Sequence, residues 1–324
     1  MSESRFFAYA SVDGRALLGR TWGEPSRFLP LVCLPGLTRS SRDFEALAQA
    51  LAERGRQVFA FDFRGRGGSA SAPFATYNVV QEAADTLAGM ESLGIAKALF
   101  LGTSRGGLVM MRIAATRPEV MAGSIFNDIG PVVEVSGIAR ISGYVGKAPP
   151  ESWEALVAEL KAGQGAMFPK LTDAEWERYA RQIYADDGGV PRLAYDPAMA
   201  DAFKAFDPTK PLPEFWPWFE AMAPQPLMVI HGQLSRAACP VFASGPRGPV
   251  FPKVAAASNP AAVRSSPWRR SRNASFPVSN LPETCISAII SEPSSGSWNC
   301  RSASSASIAW WTSTPSPSGR TPRN

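Results

Sequence analysis

A serine lies inside a glycine-flanked pentapeptide near the centre of the chain, in a setting that suits nucleophilic catalysis. Gly102-Thr103-Ser104-Arg105-Gly106 follows an apolar run at 98–101 and precedes a helix-like stretch at 107–116. A strand, a sharp turn and a helix in this order expose a serine hydroxyl above the end of the strand. Ser104 is therefore the candidate nucleophile, and an ordinary serine in a strand-to-helix turn is the alternative.

A serine nucleophile needs a neighbouring base to take its proton, and the chain offers one histidine for this role. That histidine, His231, follows a predicted strand at 227–230. Asp128 ends the predicted strand that comes after Ser104, and it is the candidate acid. Both have structural alternatives. Asp128 would cap its own loop or pair with Arg105, and His231 would be an ordinary histidine at a strand end.

The elements that must position these residues alternate between short apolar runs and amphipathic segments. The predicted strands are 31–34, 58–61, 98–101, 122–126 and 227–230, and the predicted helices include 44–52, 79–93 and 107–116. Such alternation predicts a parallel sheet with helices on both faces. The loops at the carboxyl ends of the strands are then the expected place for functional residues.

The character of the chain changes between 131 and 223, where we predict a helical cap over the sheet. Helical segments begin after Ser152 and Thr172, and Thr172-Asp173-Ala174-Glu175 has the pattern of a capping box. Four aromatic residues fall within 215–219. They either line a substrate pocket or pack inside the cap, and the sequence does not separate these two roles.

The last 89 residues differ in charge and composition from the rest. Residues 1–235 carry 23 Lys and Arg against 26 Asp and Glu, whereas residues 236–324 carry 10 against 2, with 19 serines and 12 prolines. A segment of this kind buries too little apolar surface to offset its ordering entropy, so we predict a disordered tail that does not complete the sheet. The abrupt change in mid-domain favours a reading-frame shift; a natural disordered tail is the alternative.

Several classes of protein and partner are disfavoured. The sequence pI of about 9.2 comes from the tail, so we expect no nucleic-acid or membrane partner for the main body. The N-terminus lacks the pattern of a signal peptide, and a cytoplasmic location with free thiols is expected. The segment 65–70 matches a dinucleotide-binding fingerprint, but no acidic residue ends a following strand at the required distance. No metal or organic cofactor is implied.

Four motifs together resemble the α/β-hydrolase superfamily, over about residues 10–235. Each follows a predicted strand: Leu34-Pro35-Gly36-Leu37, the segment 62–69 (Asp-Phe-Arg-Gly-Arg-Gly-Gly-Ser), the segment 102–107 around Ser104, and Asn127-Asp128-Ile129-Gly130-Pro131. The resemblance implies that Ser104 is the nucleophile and that the backbone N–H groups of Leu37 and Arg105 form the oxyanion hole. Pro35 stands where the family more often has histidine, which leaves the backbone donor intact.

The triad partners depart from the family pattern. The acid is expected a few residues after His231-Gly232, yet position 236 is Arg. The histidine is expected after one further strand, inside the anomalous tail. Neither partner therefore stands at its expected place, and Asp128 and His231 are the substitutes that the chain offers. With the acid and base missing, we expect little or no hydrolase turnover from the chain as written.

The sequence thus predicts an α/β-hydrolase fold divided into an N-terminal core at 1–130, a cap at 131–223, a core strand at 224–235 and a tail at 236–324. The expected activity is that of a serine hydrolase acting on an ester, thioester, lactone or amide of a small apolar acid. The alternative is a non-catalytic hydrolase-fold protein, either a binding protein or a truncated inactive product. The expected partner is a small acyl substrate.

Overall fold

The fold is seen in a computed structural model that describes residues 3–231 and 307–311. Its strands are β1 (Arg5–Ala10), β2 (Ala16–Trp22), β3 (Leu31–Leu34), β4 (Val58–Phe61), β5 (Ala98–Thr103), β6 (Met121–Asn127), β7 (Tyr184–Asp187), β8 (Val190–Leu193), β9 (Leu227–His231) and β10 (Ser307–Trp311). Among the described residues, eight strands form one sheet in the order β1-β2-β4-β3-β5-β6-β9-β10.

The centre of this sheet is parallel, which confirms the fold class expected from the sequence. β3 pairs in parallel with β4 on one side and with β5 on the other. β6 continues the parallel pairing from β5 to β9. At the other edge, β1 and β2 form an antiparallel pair that the sequence analysis did not predict, and β2 joins β4 antiparallel.

Helices cover both faces of the sheet. They are α1 (Glu45–Glu53), α2 (Val79–Ser92), α3 (Arg105–Thr116), α4 (Val135–Ser142), α5 (Trp153–Gln164), α6 (Asp173–Ile183) and α7 (Trp216–Glu220). Successive side chains of β3 point to opposite faces of the sheet. Leu31 and Cys33 belong to the apolar cluster under α1, while Val32 and Leu34 belong to the one under α2 and α3. A strand buried on both sides must be apolar throughout, and all four residues of β3 are buried.

The cap has its own apolar cluster, formed by α5 and α6 around Trp153 and Trp176. The predicted capping box is present, because the Thr172 hydroxyl accepts from the Glu175 N–H and the Glu175 carboxylate accepts from the Thr172 N–H. The cap is not wholly helical, however, since β7 and β8 form an antiparallel hairpin within it. Two backbone hydrogen bonds join its 194–196 segment to the core: Gly67 N–H to Ala194 O at 2.9 Å and Asp196 N–H to Gly65 O at 2.7 Å.

The aromatic cluster at 215–219 belongs to the core layer and not to the cap interior. Phe219 of α7 is buried against Phe126 of β6, with ring centroids 5.6 Å apart. Trp218 stacks under the guanidinium of Arg112 on α3. These contacts place α7 on the sheet, within the range 131–223 that was predicted as the cap. The helix leads directly into β9.

Five residues of the tail add a strand to the sheet. β10 pairs antiparallel with β9, Ser307 opposite His231 and Trp311 opposite Leu227. These five residues are an exception to the prediction that the tail does not complete the sheet. The other tail positions lie outside the described residues. In the parts that the structure describes, no helix has the length and apolarity needed to cross a bilayer.

Candidate active site

Ser104 stands at the turn between β5 and α3 in a backbone conformation that non-glycine residues rarely adopt. Its φ is 49° and its ψ is −111°. Such a conformation costs about 1–3 kcal/mol and persists only where the surroundings enforce it. Glycines provide that enforcement here. A Cβ on Gly102 would lie 2.6 Å from the carbonyl carbon of Gly106, and a Cβ on Gly106 would overlap the carbonyl oxygen of Leu34.

The strand register puts the three candidate triad residues in one row. Thr103 is opposite Asn127 in the pairing of β5 with β6, and Asn127 is opposite Ile230 in the pairing of β6 with β9. Ser104, Asp128 and His231 each follow one of these residues. Neighbouring strands lie about 4.8 Å apart, so the Cα atoms of Ser104 and His231 are separated by about 10 Å.

Backbone hydrogen bonds fix two members of this row. The Ser104 N–H donates to Asn127 O at 3.1 Å, and the Asp128 N–H donates to Ile230 O at 2.8 Å. Asp128 has a φ of 56°, a second left-handed residue at the carboxyl edge of the sheet. The structure thus brings the backbone positions of the candidates together, as expected for carboxyl ends of parallel strands. Position 236, where the family acid is expected, lies outside the described residues.

The oxyanion-hole candidates lie beside the nucleophile. Leu34 is opposite Gly102 in the pairing of β3 with β5, so the loop that begins at Pro35 runs past the Ser104 turn. Arg105 is the first residue of α3, and a helix leaves the N–H groups of its first turn without intrahelical acceptors. Among the described residues, no hydrogen bond occupies the N–H of Leu37 or Arg105.

Arg105 turns its side chain towards a buried carboxylate on α2. Its Nε donates to Glu82 Oε2 at 2.6 Å, and its Nη2 donates to Tyr77 O at 3.1 Å. Glu82 also lies 2.9 Å from Arg66 Nη1. The sequence analysis missed Glu82 and Arg66 as site neighbours. The available signal was an acidic residue on the buried face of α2, which demands a cationic partner.

The loop that contains the 65–70 fingerprint is held by hydrogen bonds to Asp62. Asp62 accepts from the Ser41 N–H at 2.6 Å and from the Gly68 N–H at 3.3 Å. Burial raises the pKa of Asp62, and the hydrogen bonds from Ser41 and Gly68 oppose that rise. A short 3-10 turn at Phe74–Thr76 follows the loop, whereas a dinucleotide fingerprint requires a helix there. The structure gives no support to nucleotide binding by this segment.

Apolar side chains from the cap lie next to the loop that follows β3 and carries Leu37. Leu37 packs against a small cluster centred on Tyr77, Val145 and Met199. Ile141 and Phe203 complete the cluster at its edge. Val145 and Met199 come from the cap, so the cap supplies an apolar wall next to the candidate site.

A separate cavity of about 680 Å³ lies between the start of α1 and the cap helix α6. Its lining includes Arg20, Arg42, Arg178 and Arg181 together with Glu45 and Glu177. None of the candidate catalytic residues lines it, and its charged walls are unlike the apolar wall at Leu37. We therefore do not assign the acyl substrate to this cavity.

The comparison with known proteins agrees with the fold. The family described as "alpha/beta hydrolase fold" matches residues 30–238. The chain belongs to the α/β-hydrolase family. The matched range begins just before β3 and includes the Ser104 turn, the cap and β9.

Relatives with longer matches are named as hydrolases. The chain is 32% identical over 228 residues to a 3-hydroxybutyrate-oligomer hydrolase of Cupriavidus necator, over 66% of this chain and 75% of that protein. A solved α/β hydrolase of Novosphingobium aromaticivorans is 36% identical with a TM-score of 0.69, over 75% of this chain and 86% of that one. A mouse sn-1-specific diacylglycerol lipase is 34% identical over 108 residues, only 33% of this chain and 34% of the lipase. By descent the chain is a hydrolase-like enzyme.

Proposed function

We propose that the chain is built as a serine hydrolase whose nucleophile is Ser104. The observation that carries the proposal is the left-handed backbone of Ser104, held between β5 and α3 by glycines that tolerate no side chain. Strain of this kind is concentrated at functional sites. It serves here to lift the hydroxyl above the sheet.

The proposed substrate is an ester, thioester, lactone or amide of a small apolar acid, with an ester favoured. The apolar cluster beside Leu37 suits an apolar acyl group. Two of the matched relatives bear names that refer to an oligomer of a hydroxy acid and to diacylglycerol, and both compounds are carboxylic esters. These names support ester chemistry for this chain without identifying its acid.

The proposed reaction uses the backbone N–H groups of Leu37 and Arg105 as donors to the carbonyl oxygen. Ser104 Oγ would bond to the carbonyl carbon while its proton passes to a base, and the carbonyl oxygen would take up negative charge between the N–H groups of Leu37 and Arg105. Collapse would expel the alcohol, which takes the proton back. Water would then release the acid from Ser104 by the same sequence of steps. His231 is the one imidazole that the chain offers as base.

A non-catalytic hydrolase-fold protein is the second candidate, and a specific observation favours it. The chain has a single histidine, and it lies in the β9 segment that the family uses before its acid, while Arg236 stands where the acid is expected. A serine without a base attacks slowly. Such a chain would retain the oxyanion hole and the apolar wall as a binding surface.

Hydrolysis of p-nitrophenyl butyrate by the purified full chain separates the two candidates. We expect a rate only modestly above background, and we expect Ser104→Ala and His231→Ala each to change it less than about threefold, because removing one triad member already removes most of the benefit of the others. The Ser104→Ala chain is also the control for contaminating esterases. A high rate that either substitution abolishes would overturn the non-catalytic candidate and make His231 the base.

A further inference from the structure

A buried chain of ion pairs connects the two residues proposed to form the oxyanion hole. Arg66 Nε donates to the Leu37 carbonyl oxygen at 2.7 Å, and Arg66 Nη1 lies 2.9 Å from Glu82 Oε1. The other carboxylate oxygen of Glu82 accepts from Arg105 Nε at 2.6 Å. A single carboxylate on α2 thereby reaches the loop after β3 and the first turn of α3.

The burial of this chain makes it rigid. The side chains of Arg66 and Glu82 have no exposed surface, and Arg105 is 18% exposed. Charges removed from water must stay paired, so a rotation that separates them is strongly disfavoured. Arg66 is further held by a hydrogen bond to Arg64 O at 2.8 Å and by the ring of Tyr77.

A second ion pair on the same helix provides a comparison. Asp85 lies three residues after Glu82 and binds Arg64 with both oxygens, each at 2.7 Å. The Arg64 and Asp85 side chains are as deeply buried as Arg66 and Glu82, with 0% and 1% exposure. Their hydrogen bonds lead to Asp13 and Gln81, away from Leu37 and Arg105. The Arg64–Asp85 pair therefore matches the Arg66–Glu82 pair in burial and in chemistry, but its hydrogen bonds do not lead to Leu37 or Arg105.

We infer that Glu82 and Arg66 are positioning residues that fix the oxyanion hole before substrate arrives. Arg66 anchors the peptide group that follows Leu37, and the Leu37 N–H belongs to the peptide group before it, so the anchor limits movement of the Leu37 backbone between the two groups. Glu82 aligns Arg66 and clamps Arg105 at the start of α3. The inference rests on the proposed use of the Leu37 and Arg105 amides. Donors that are already in position stabilise the charge that develops on the carbonyl oxygen without a free-energy cost of reorientation.

The test compares Glu82→Gln with the matched control Asp85→Asn in the full chain. The first readout needs no activity: the NMR order parameter of the Leu37 N–H bond, expected near 0.85 in the natural chain and below about 0.6 in Glu82→Gln. Asp85→Asn should leave it near 0.85. The second readout is kinetic and uses a chain whose residues 232–324 are exchanged for the C-terminal segment of the Novosphingobium hydrolase; there Glu82→Gln should lower kcat for p-nitrophenyl butyrate about 10- to 100-fold, with KM within twofold of that of the exchanged chain.

A second pair of variants is the control for a loss of folding in Glu82→Gln. Glu82→Gln leaves Arg66 as an unpaired buried cation, whereas the double variant Arg66→Met with Glu82→Met removes both charges and is tolerated more easily in a core. It should lower the Leu37 order parameter as Glu82→Gln does, while Arg64→Met with Asp85→Met should not. An unchanged order parameter in both Glu82 variants, or an equal fall in the Asp85 controls, would overturn the inference. Absence of hydrolysis by the exchanged chain would count against the proposed function alone, because the order parameter still decides the positioning role.

Discussion

Exchange of residues 232–324 for the corresponding C-terminal segment of the Novosphingobium hydrolase should raise the rate of p-nitrophenyl butyrate hydrolysis about 10⁴-fold. The family resemblance places both the acid and the histidine in this segment, and removing a triad member costs a factor of about 10⁴ to 10⁶. The described core already holds Ser104 in its left-handed turn. Under the proposed mechanism, the exchange supplies the acid and the base that Ser104 lacks. The measurement is kcat/KM for the exchanged and natural chains at equal protein concentration.

Ser104→Ala in the exchanged chain is the matched control, and it should return the rate to that of the natural chain. His231→Ala in the same background should have little effect, because the imported histidine then serves as base. A folded exchanged chain, with cooperative thermal unfolding, that gained no activity would refute the serine-hydrolase proposal. So would an exchanged chain whose gain survived Ser104→Ala.

The parallel centre of the sheet was predictable because its strands carry a strong local signal. Every residue of β3 and β4 is buried, and a short run of apolar residues ended by glycine, proline or aspartate is typical of a strand covered on both faces. β1 gave no such signal. It begins at the sheet edge with adjacent aromatics, and Phe6 is 66% exposed, so the alternation of buried and exposed residues is obscured.

The hairpin in the cap was missed for a related reason. Gly188 and Gly189 have φ values of 59° and 90° and form its turn, and two adjacent glycines are a recognised hairpin signal. The flanking strands, however, show no apolar alternation: β7 ends in two aspartates, and β8 includes Pro191 and Arg192. Strands held mainly by backbone pairing at a surface carry little apolar periodicity, so sequence alone favoured a wholly helical cap.

The residues of the candidate site also differ in whether the sequence alone could predict them. Ser104 was predictable because its turn is local: glycines two residues before and after the serine decide the backbone. Glu82 was not, because it acts on Arg105 and on Arg66 from a different helix, and a sequence gives no distances between elements. Helical periodicity places Glu82 and Asp85 on one face, but only the folded structure shows that one carboxylate reaches the oxyanion loop and the other does not.

Gly106→Ala should lower the free energy of unfolding by about 3 kcal/mol or more, the largest stability effect that we expect from adding a single methyl group. The new Cβ would overlap the carbonyl oxygen of Leu34 and lie 2.9 Å from the Leu34 Cβ, and neither atom belongs to a flexible side-chain end. Either α3 moves off β3 or the Ser104 turn opens. Alanine is otherwise favoured over glycine inside a helix by about 1 kcal/mol, so the overlap must exceed that gain.

Gly163→Ala is the matched control for this measurement, which is urea unfolding followed by tryptophan fluorescence. Gly163 also lies within a helix, α5, but a Cβ there would meet no atom within 4 Å. We expect the control to be unchanged or up to about 1 kcal/mol more stable, because only the helix propensity acts. If Gly106→Ala were as stable as Gly163→Ala, the close packing of α3 against β3 would be wrong. The left-handed Ser104 turn, on which the proposed nucleophile depends, would then lose its structural cause.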